Sequence, residues 1–347
     1  MNILYLFLTF CATGASLLAL KPVAIKVGLI DIPGGRKTHL EATPLVGGLG
    51  IFLGVLVSSI FIPGVLREFG PFLSLSALVL FIGTIDDAKD LPPNVRMLGH
   101  ALIALVMALV AGIQLGTLED LSFTGSIQLG ALAIPFTVFA TVGVINAINM
   151  ADGIDGLSGG LVIVALGFVA FLSIANGDTH TANFIVLLAC SITAFLSMNF
   201  RRPWNRKALV YLGDAGSTML GFMLAWLLID GSQGETASFA PVHALWFLAI
   251  PLFDTVNLLI KRPLRGHSPF KPGTDHLHHN LLRRGFKVEQ VVLILILSAV
   301  SLGGIGLLGI YYAVNESVMF LGFIALFLLY FVLSDRIQPR PESQIQA

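Results

Sequence analysis

The 347-residue chain is 56% hydrophobic and 12% charged, with twenty Lys and Arg balanced by twenty Asp and Glu. Soluble globular domains carry about 25% charged residues, so a water-soluble fold is excluded. The apolar runs are continuous rather than alternating, which excludes a closed β-barrel and leaves an all-α polytopic integral membrane protein.

A membrane-spanning helix needs roughly 20 predominantly apolar residues. About eleven runs read as spans, near 2–20, 45–63, 70–85, 97–116, 129–148, 157–175, 181–198, 209–229, 240–260, 290–312 and 317–334. The first has no basic residues ahead of it, and Lys21 and Lys26 follow it. It therefore reads as an uncleaved span whose start lies outside, not as a signal peptide. Cys11 and Cys190 fall inside apolar runs and read as packing residues. With no internal repeat, the chain reads as one transmembrane catalytic domain over 1–335 and a disordered cytoplasmic tail over 336–347.

Charge sets the expected orientation. Assigning the loops alternately to two sides places every Lys and Arg except Arg67 on the side of 28–44, 86–96, 149–156, 199–208, 261–289 and the tail. The opposite side holds Glu68, Glu119, Asp120, Asp178, Asp230, Glu235 and Glu316. By the positive-inside rule the basic side is cytoplasmic, the N-terminus outside and the C-terminus inside.

Polar chemistry gathers on that basic side, at helix ends. A transporter would place it near the bilayer midplane. First come GRKTH (35–39) and PLVGG (44–48), then DDAKD (86–90). Asp86 and Asp87 are neighbours, so on a helix they point about 100° apart. One can face a metal or a reacting group while the other faces a cation. A solvated helix end is the plainer reading of this pair. In NAINMADGID (146–155) polar residues recur every third position, which sets Asn146, Asn149 and Asp152 along one drifting stripe, with Asp155 beyond. Capping of the next helix accounts for one acid but not for two amides and a second acid.

GDAGS (213–217) opens a span with Asp214 in an apolar context, and an intramembrane carboxylate is functional by default. Small-residue helix packing is the alternative there. In HSPFKPGTDHLHH (267–279) the trio His276, His278 and His279 stands among Arg265, Lys271, Arg283, Arg284 and Lys287. That basic setting favours phosphate over zinc. Carboxylates beside amide oxygens suit Mg²⁺, which is commonly held by one or two carboxylates plus substrate phosphates. With apolar walls for a lipid, the face suits phosphoryl transfer at a membrane surface.

These motifs resemble the polyprenyl-phosphate N-acetylhexosamine-1-phosphate transferase superfamily (glycosyltransferase family 4), closest to the bacterial undecaprenyl-phosphate N-acetylglucosamine 1-phosphate transferases. The likeness runs in family order through GRKTHLEATPLVGG, GTIDD, INAINMADGIDGLSGG, YLGDAGSTMLGF, PLFDT and SPFKPGTDHLHHNLLRRGF. It implies an inner-membrane, multi-pass enzyme that moves a sugar 1-phosphate from a UDP-sugar to undecaprenyl phosphate and releases UMP. The implied cofactor is Mg²⁺, for which Mn²⁺ substitutes. It also implies Asp214 and Asn149 as metal ligands and Asp86 and Asp87 as the catalytic acidic pair. Arg96 would meet the lipid phosphate. Asp152 and Asp155 would lie near uridine and sugar, and Asn199 matches a polar position before GDAGS. Lys37, His39, His276, His278 and His279 would surround the donor diphosphate, and Asn146 joins the substrate-binding set.

The default sugar is N-acetylglucosamine, with another UDP-N-acetyl sugar as the alternative. A direct displacement and a covalent aspartyl-phosphate route both stay open, as does oligomeric state, a homodimer included. No nucleic acid is expected as a partner. An ion-coupled transporter and a non-catalytic lipid carrier are the competing function classes.

Overall fold

Each of the eleven apolar runs contains helix in the computed structural model, which describes residues 2–31, 43–201, 207–268 and 273–337; the 97–116 run is helical only to Val110 and the 209–229 run only from Gly213. In chain order the helices are α1 (Ile3–Val27), α2 (Gly47–Phe61), α3 (Val65–Lys89), α4 (Pro93–Val110), α5 (Ala133–Met150), α6 (Leu157–Ala175), α7 (Thr179–Asn199), α8 (Gly213–Asp230), α9 (Pro241–Phe247), α10 (Ala249–Leu264), α11 (Leu277–Arg283), α12 (Val288–Tyr311) and α13 (Glu316–Ile337). A two-residue antiparallel ladder, β1 (Ile30–Asp31) on β2 (Thr43–Pro44), joins α1 to α2 with Ile30 opposite Pro44. Among the described residues, eight helices are long and apolar enough to cross a membrane; α9 and α10, bent by 86°, make a ninth if counted as one broken span. The remaining two runs correspond to α2, of 15 residues, and α8, of 18. The proposed tail lies outside the described residues from 338 onward.

The bundle is organised around α8. From Gly213 to Ile229 this helix is buried on all sides except at Asp214, as expected of a helix apolar around its whole circumference. It packs chiefly on α3 and α5, and also on α2 and α6. Small residues permit the approach. A Cβ added at Gly83 of α3 would lie 2.4 Å from Ala215 Cα, and one at Gly48 of α2 would lie 2.3 Å from Gly216 Cα. Hydroxyls tie the outer layer: Thr9 donates to Ser58 at 2.8 Å, and Thr13 and Ser191 are paired at 2.7 Å. The rim helices turn Phe7, Leu102, Leu297 and Leu328 outward, the composition of a surface solvated by lipid.

Close packing of α3 against α8 has a functional consequence. It carries the C-terminal end of α3 to the N-terminal end of α8. Backbone bonds from Gly47 N–H to Tyr211 O (2.8 Å), Gly48 N–H to Leu212 O (3.1 Å) and Tyr211 N–H to Pro44 O (2.9 Å) bring PLVGG to the same place.

Candidate active site

The last turn of α3 separates the two adjacent aspartates as helical geometry requires. Asp86 is buried. It accepts from Leu91 N–H at 2.9 Å and pairs with Arg96 from α4. Asp87 turns the other way, toward α8, and accepts from Asp214 N–H at 2.8 Å and Ala215 N–H at 3.1 Å. These are among the unsatisfied donors every helix N-terminus presents, so Asp87 supplies from another helix the carboxylate cap that α8's own sequence lacks. Gly213, at φ +76°, makes room for it: a Cβ there would meet Asp87 Oδ2 at 2.5 Å.

Asp214 itself stays open, its side chain 42% exposed. Asn149 Nδ2 donates to Asp214 Oδ1 at 2.6 Å and to Ser217 at 2.9 Å, and Arg96 stands 3.6 Å from Asp214 Oδ2. Groups from α3, α4 and α5 therefore meet at Asp214 of α8, Asp87 on its backbone N–H and Asn149 and Arg96 on its carboxylate.

The turn between α5 and α6 supplies the next wall. Asp155 pairs with Arg201 at 2.5 Å. Burial, then the charges of Asp214, Asp87 and Asp155, push Asp152 well above the ordinary carboxylate range. Asn199, buried at the end of α7, is committed on both sides of its amide: it accepts from Gly156 N–H at 2.7 Å and donates to Val210 O at 3.0 Å. It ties the turn to the strand leading into α8. Asn146 donates to Val142 O within its own helix at 2.8 Å and is not on the cavity wall.

The histidine trio divides. His276 is buried, with Nδ1 2.8 Å from Asp254 Oδ2. His278 is also buried, with Nε2 unpaired, and packs so tightly on Gly153 that a Cβ there would lie 2.1 Å from that nitrogen. Burial, then the neighbouring His279, pushes His278 down to about 3. Burial also lowers His279, with His276 and Arg283 adding to the effect. Of the three, only His279 lines the cavity. Sequence reasoning grouped all three as substrate ligands; the structure brings one to the cavity and packs two behind it. Lys37 and His39 lie outside the described residues.

An open cavity of about 1090 Å³ lies among these elements. Its wall carries seven aspartates, Asp31, Asp86, Asp87, Asp90, Asp152, Asp155 and Asp214, with Arg201, Arg283 and His279 as basic groups. Among the described residues, no three His, Cys, Asp or Glu are arranged to cage an ion. Two residues escaped the sequence reading. Arg201 passed for an ordinary basic helix flank. Asp254 sits in the PLFDT segment of an apolar run, where a lone carboxylate is itself a signal.

Comparison with known proteins agrees with the likeness drawn from the motifs. The model of glycosyl transferase family 4 matches residues 70–232, which contain Asp86, Asp87, Asn149 and Asp214. The chain is 36% identical over 330 residues to the undecaprenyl-phosphate alpha-N-acetylglucosaminyl 1-phosphate transferase of Yersinia pestis, covering 95% of this chain and 89% of that one. It is 38% identical over 329 residues to the Haemophilus influenzae protein of the same name, covering 94% and 92%. The Escherichia coli (strain K12) protein of that name is 35% identical over 322 residues, covering 92% and 88%. With the family's matched segment holding the polar centre of the bundle, and likeness running nearly end to end, the chain belongs to glycosyl transferase family 4.

Proposed function

We propose that this protein transfers N-acetylglucosamine 1-phosphate from UDP-N-acetylglucosamine to undecaprenyl phosphate, giving the lipid diphosphate-sugar and UMP. It would act in the bacterial inner membrane as the initiating step of a cell-surface glycan. The observation that carries this reading is the meeting of Asp87, Asn149 and Arg96 at Asp214, with Asp87 and Asp214 on the wall of one open cavity, in a chain 35–38% identical to transferases of that name. We read the chain as one catalytic unit over 1–335 with eleven spans, N-terminus outside and C-terminus cytoplasmic. Each run contains helix, and the cavity is lined mostly from loops and helix ends that the Lys and Arg bias assigns to the cytoplasm.

The acid-rich wall fits Mg²⁺. Asp86 and Asp155 are offset by Arg96 and Arg201, but the wall remains rich in carboxylates, so an anionic donor calls for a cation, and Mg²⁺ needs few protein ligands when phosphates supply the rest. Asp214, its side chain 42% exposed, would hold it, and Asn149 would join with its amide turned over; here the Asn149 nitrogen faces Asp214. When bound, the ion would neutralise the donor diphosphate.

The protein's own residues would do the positioning, the main task in phosphoryl transfer. Arg96, anchored on Asp86, offers a fixed cation for the lipid phosphate. His279 and Arg283 face the donor from α11. Asp87 sets the first turn of α8 and so the place of Asp214.

The arrangement favours direct attack by the lipid phosphate over an aspartyl-phosphate. Asp86 and Asp87 each accept a hydrogen bond at both oxygens, which ties the two carboxylates to Arg96, Leu91 and the first turn of α8 and makes each a weaker nucleophile than a free carboxylate. The test is an assay of purified protein with undecaprenyl phosphate and a panel of UDP-sugars, reading UMP and lipid product with and without Mg²⁺. UMP formed only when the lipid is present is expected. A stoichiometric UMP burst without lipid would overturn direct attack, and absence of transfer from any UDP-sugar would overturn the reading.

A further inference from the structure

The segment bearing the three histidines is held by a carboxylate on another helix. Asp254, on α10, is buried, and both its oxygens accept. Oδ2 takes His276 Nδ1 at 2.8 Å; Oδ1 takes Leu277 N–H at 2.9 Å and the Tyr330 hydroxyl of α13 at 3.3 Å. Across the imidazole, Arg262 Nη2 stands 3.5 Å from His276 Nε2. Arg262 is itself paired with Asp275 through Nε at 3.1 Å and Nη2 at 2.6 Å. A guanidinium can only donate. His276 Nε2 therefore faces a donor, and the ring proton sits on Nδ1, directed at Asp254.

His276 is thus occupied at both nitrogens, and it is the residue just before α11. That helix has seven residues, too few to persist without anchors. Its start is fixed by Asp254. Its far end is fixed by Arg283 donating to Thr274 O at 2.7 Å, and its apolar side by Leu277, Leu281 and Leu282 packed toward α12. The opposite side carries His279 and Arg283 to the cavity wall.

We infer that Asp254 is a positioning residue for the donor side of the cavity, acting through His276 Nδ1–H and the Leu277 N–H to set where His279 and Arg283 stand. His276 in this arrangement is a strut, not a phosphate ligand. The inference rests on the transferase reading for its kinetic consequence, but not for its geometry.

His276→Asn separates the two roles. An Asn Nδ2 falls near the position of the imidazole Nδ1 and can still donate to Asp254, but offers no imidazole to a phosphate. Its KM for the UDP-sugar should stay within about threefold of wild type. His276→Ala and Asp254→Asn should lower kcat/KM for the donor by on the order of 10²-fold, the cost of an ångström-scale misplacement, with the lipid KM unchanged. Asp254→Asn should cost less in a His279→Ala background than in the wild type, because one of the two side chains it positions is already gone. If His276→Asn is as impaired as His276→Ala, the imidazole itself is needed and the strut is wrong. If Asp254→Asn raises the lipid KM equally, or costs its full wild-type factor in the His279→Ala background, Asp254 is only structural.

Nitrogen-15 NMR of histidine-labelled protein supplies a readout free of activity. An Nδ1–H neutral tautomer should be present in the wild type, vanish in His276→Asn and change in Asp254→Asn. Should the wild type transfer no sugar phosphate, the transferase reading fails while this signature still decides the strut. An Nε2–H tautomer at His276 would overturn it.

Discussion

The Asp87 carboxylate accepts the backbone N–H of Asp214 at 2.8 Å, so the two acids of the site are linked through main chain, with the Asp214 side chain left open. The two substitutions should therefore differ. Asp87→Asn removes one acceptor oxygen from a two-donor cap and should cost about 1 kcal/mol of stability together with most of the activity. Asp214→Asn keeps the N–H donors and the cap. Its melting temperature in detergent should match wild type while transfer falls by about 10²-fold or more. Wild-type-like turnover of Asp214→Asn in Mg²⁺ would remove Asp214 from the metal role.

The approach of α3 to α8 depends on Gly83, where a Cβ would lie 2.4 Å from Ala215 Cα. Gly83→Ala should force the helices apart, cost about 1–3 kcal/mol as overpacking does, and lower activity by pulling Asp87 from its N–H donors. Gly70→Ala, on the same helix with open space around it, is the control and should be silent. Equal thermal stability of the two variants would refute the close contact.

Asn199 and Asn146 provide a contrast between two amides proposed alike from sequence. Asn199→Ala leaves Gly156 N–H and Val210 O without their partner and should destabilise by about 1–3 kcal/mol. Asn146→Ala removes only a bond to its own helix and should stay within about 0.5 kcal/mol. Thermal unfolding in detergent decides. A larger effect at Asn146 would contradict the assignment.

His278 sets a pH dependence. Burial holds it down at about 3 in the folded protein, against an ordinary value near 6.5. Between these values the unfolded chain binds the extra proton. Stability is thus fully present above about 6.5 and is lost as pH falls toward 3, by at most about 1.4 kcal/mol per pH unit. Unfolding temperatures of wild type and His278→Leu, followed from pH 7.5 to 5, should diverge, with the wild type falling more steeply. Parallel curves would show that His278 is not buried as a neutral ring.

Composition and periodicity determined the helical membrane architecture, because a bilayer admits only long apolar helices or closed barrels. They also placed Asp86, Asp87, Asn149, Asp152 and Asp214 at helix ends on one side, since polar groups that cannot enter lipid must collect where the spans stop. Helical geometry was enough to say that Asp86 and Asp87 face different partners. Which partner each has depends on a glycine contact between α3 and α8, two helices far apart in the chain, and spacing along one helix carries no information about its neighbour. The same limit explains the histidines. HLHH reads as three equivalent ligands, yet only His279 reaches the cavity. Asp254, twenty-two residues upstream of His276, turns one ring inward, and Gly153 receives another. The residue types available to the site were written in local sequence; tertiary packing decided which remain open to substrate, because an imidazole or amide whose hydrogen bonds are already made inside the protein has none left to offer.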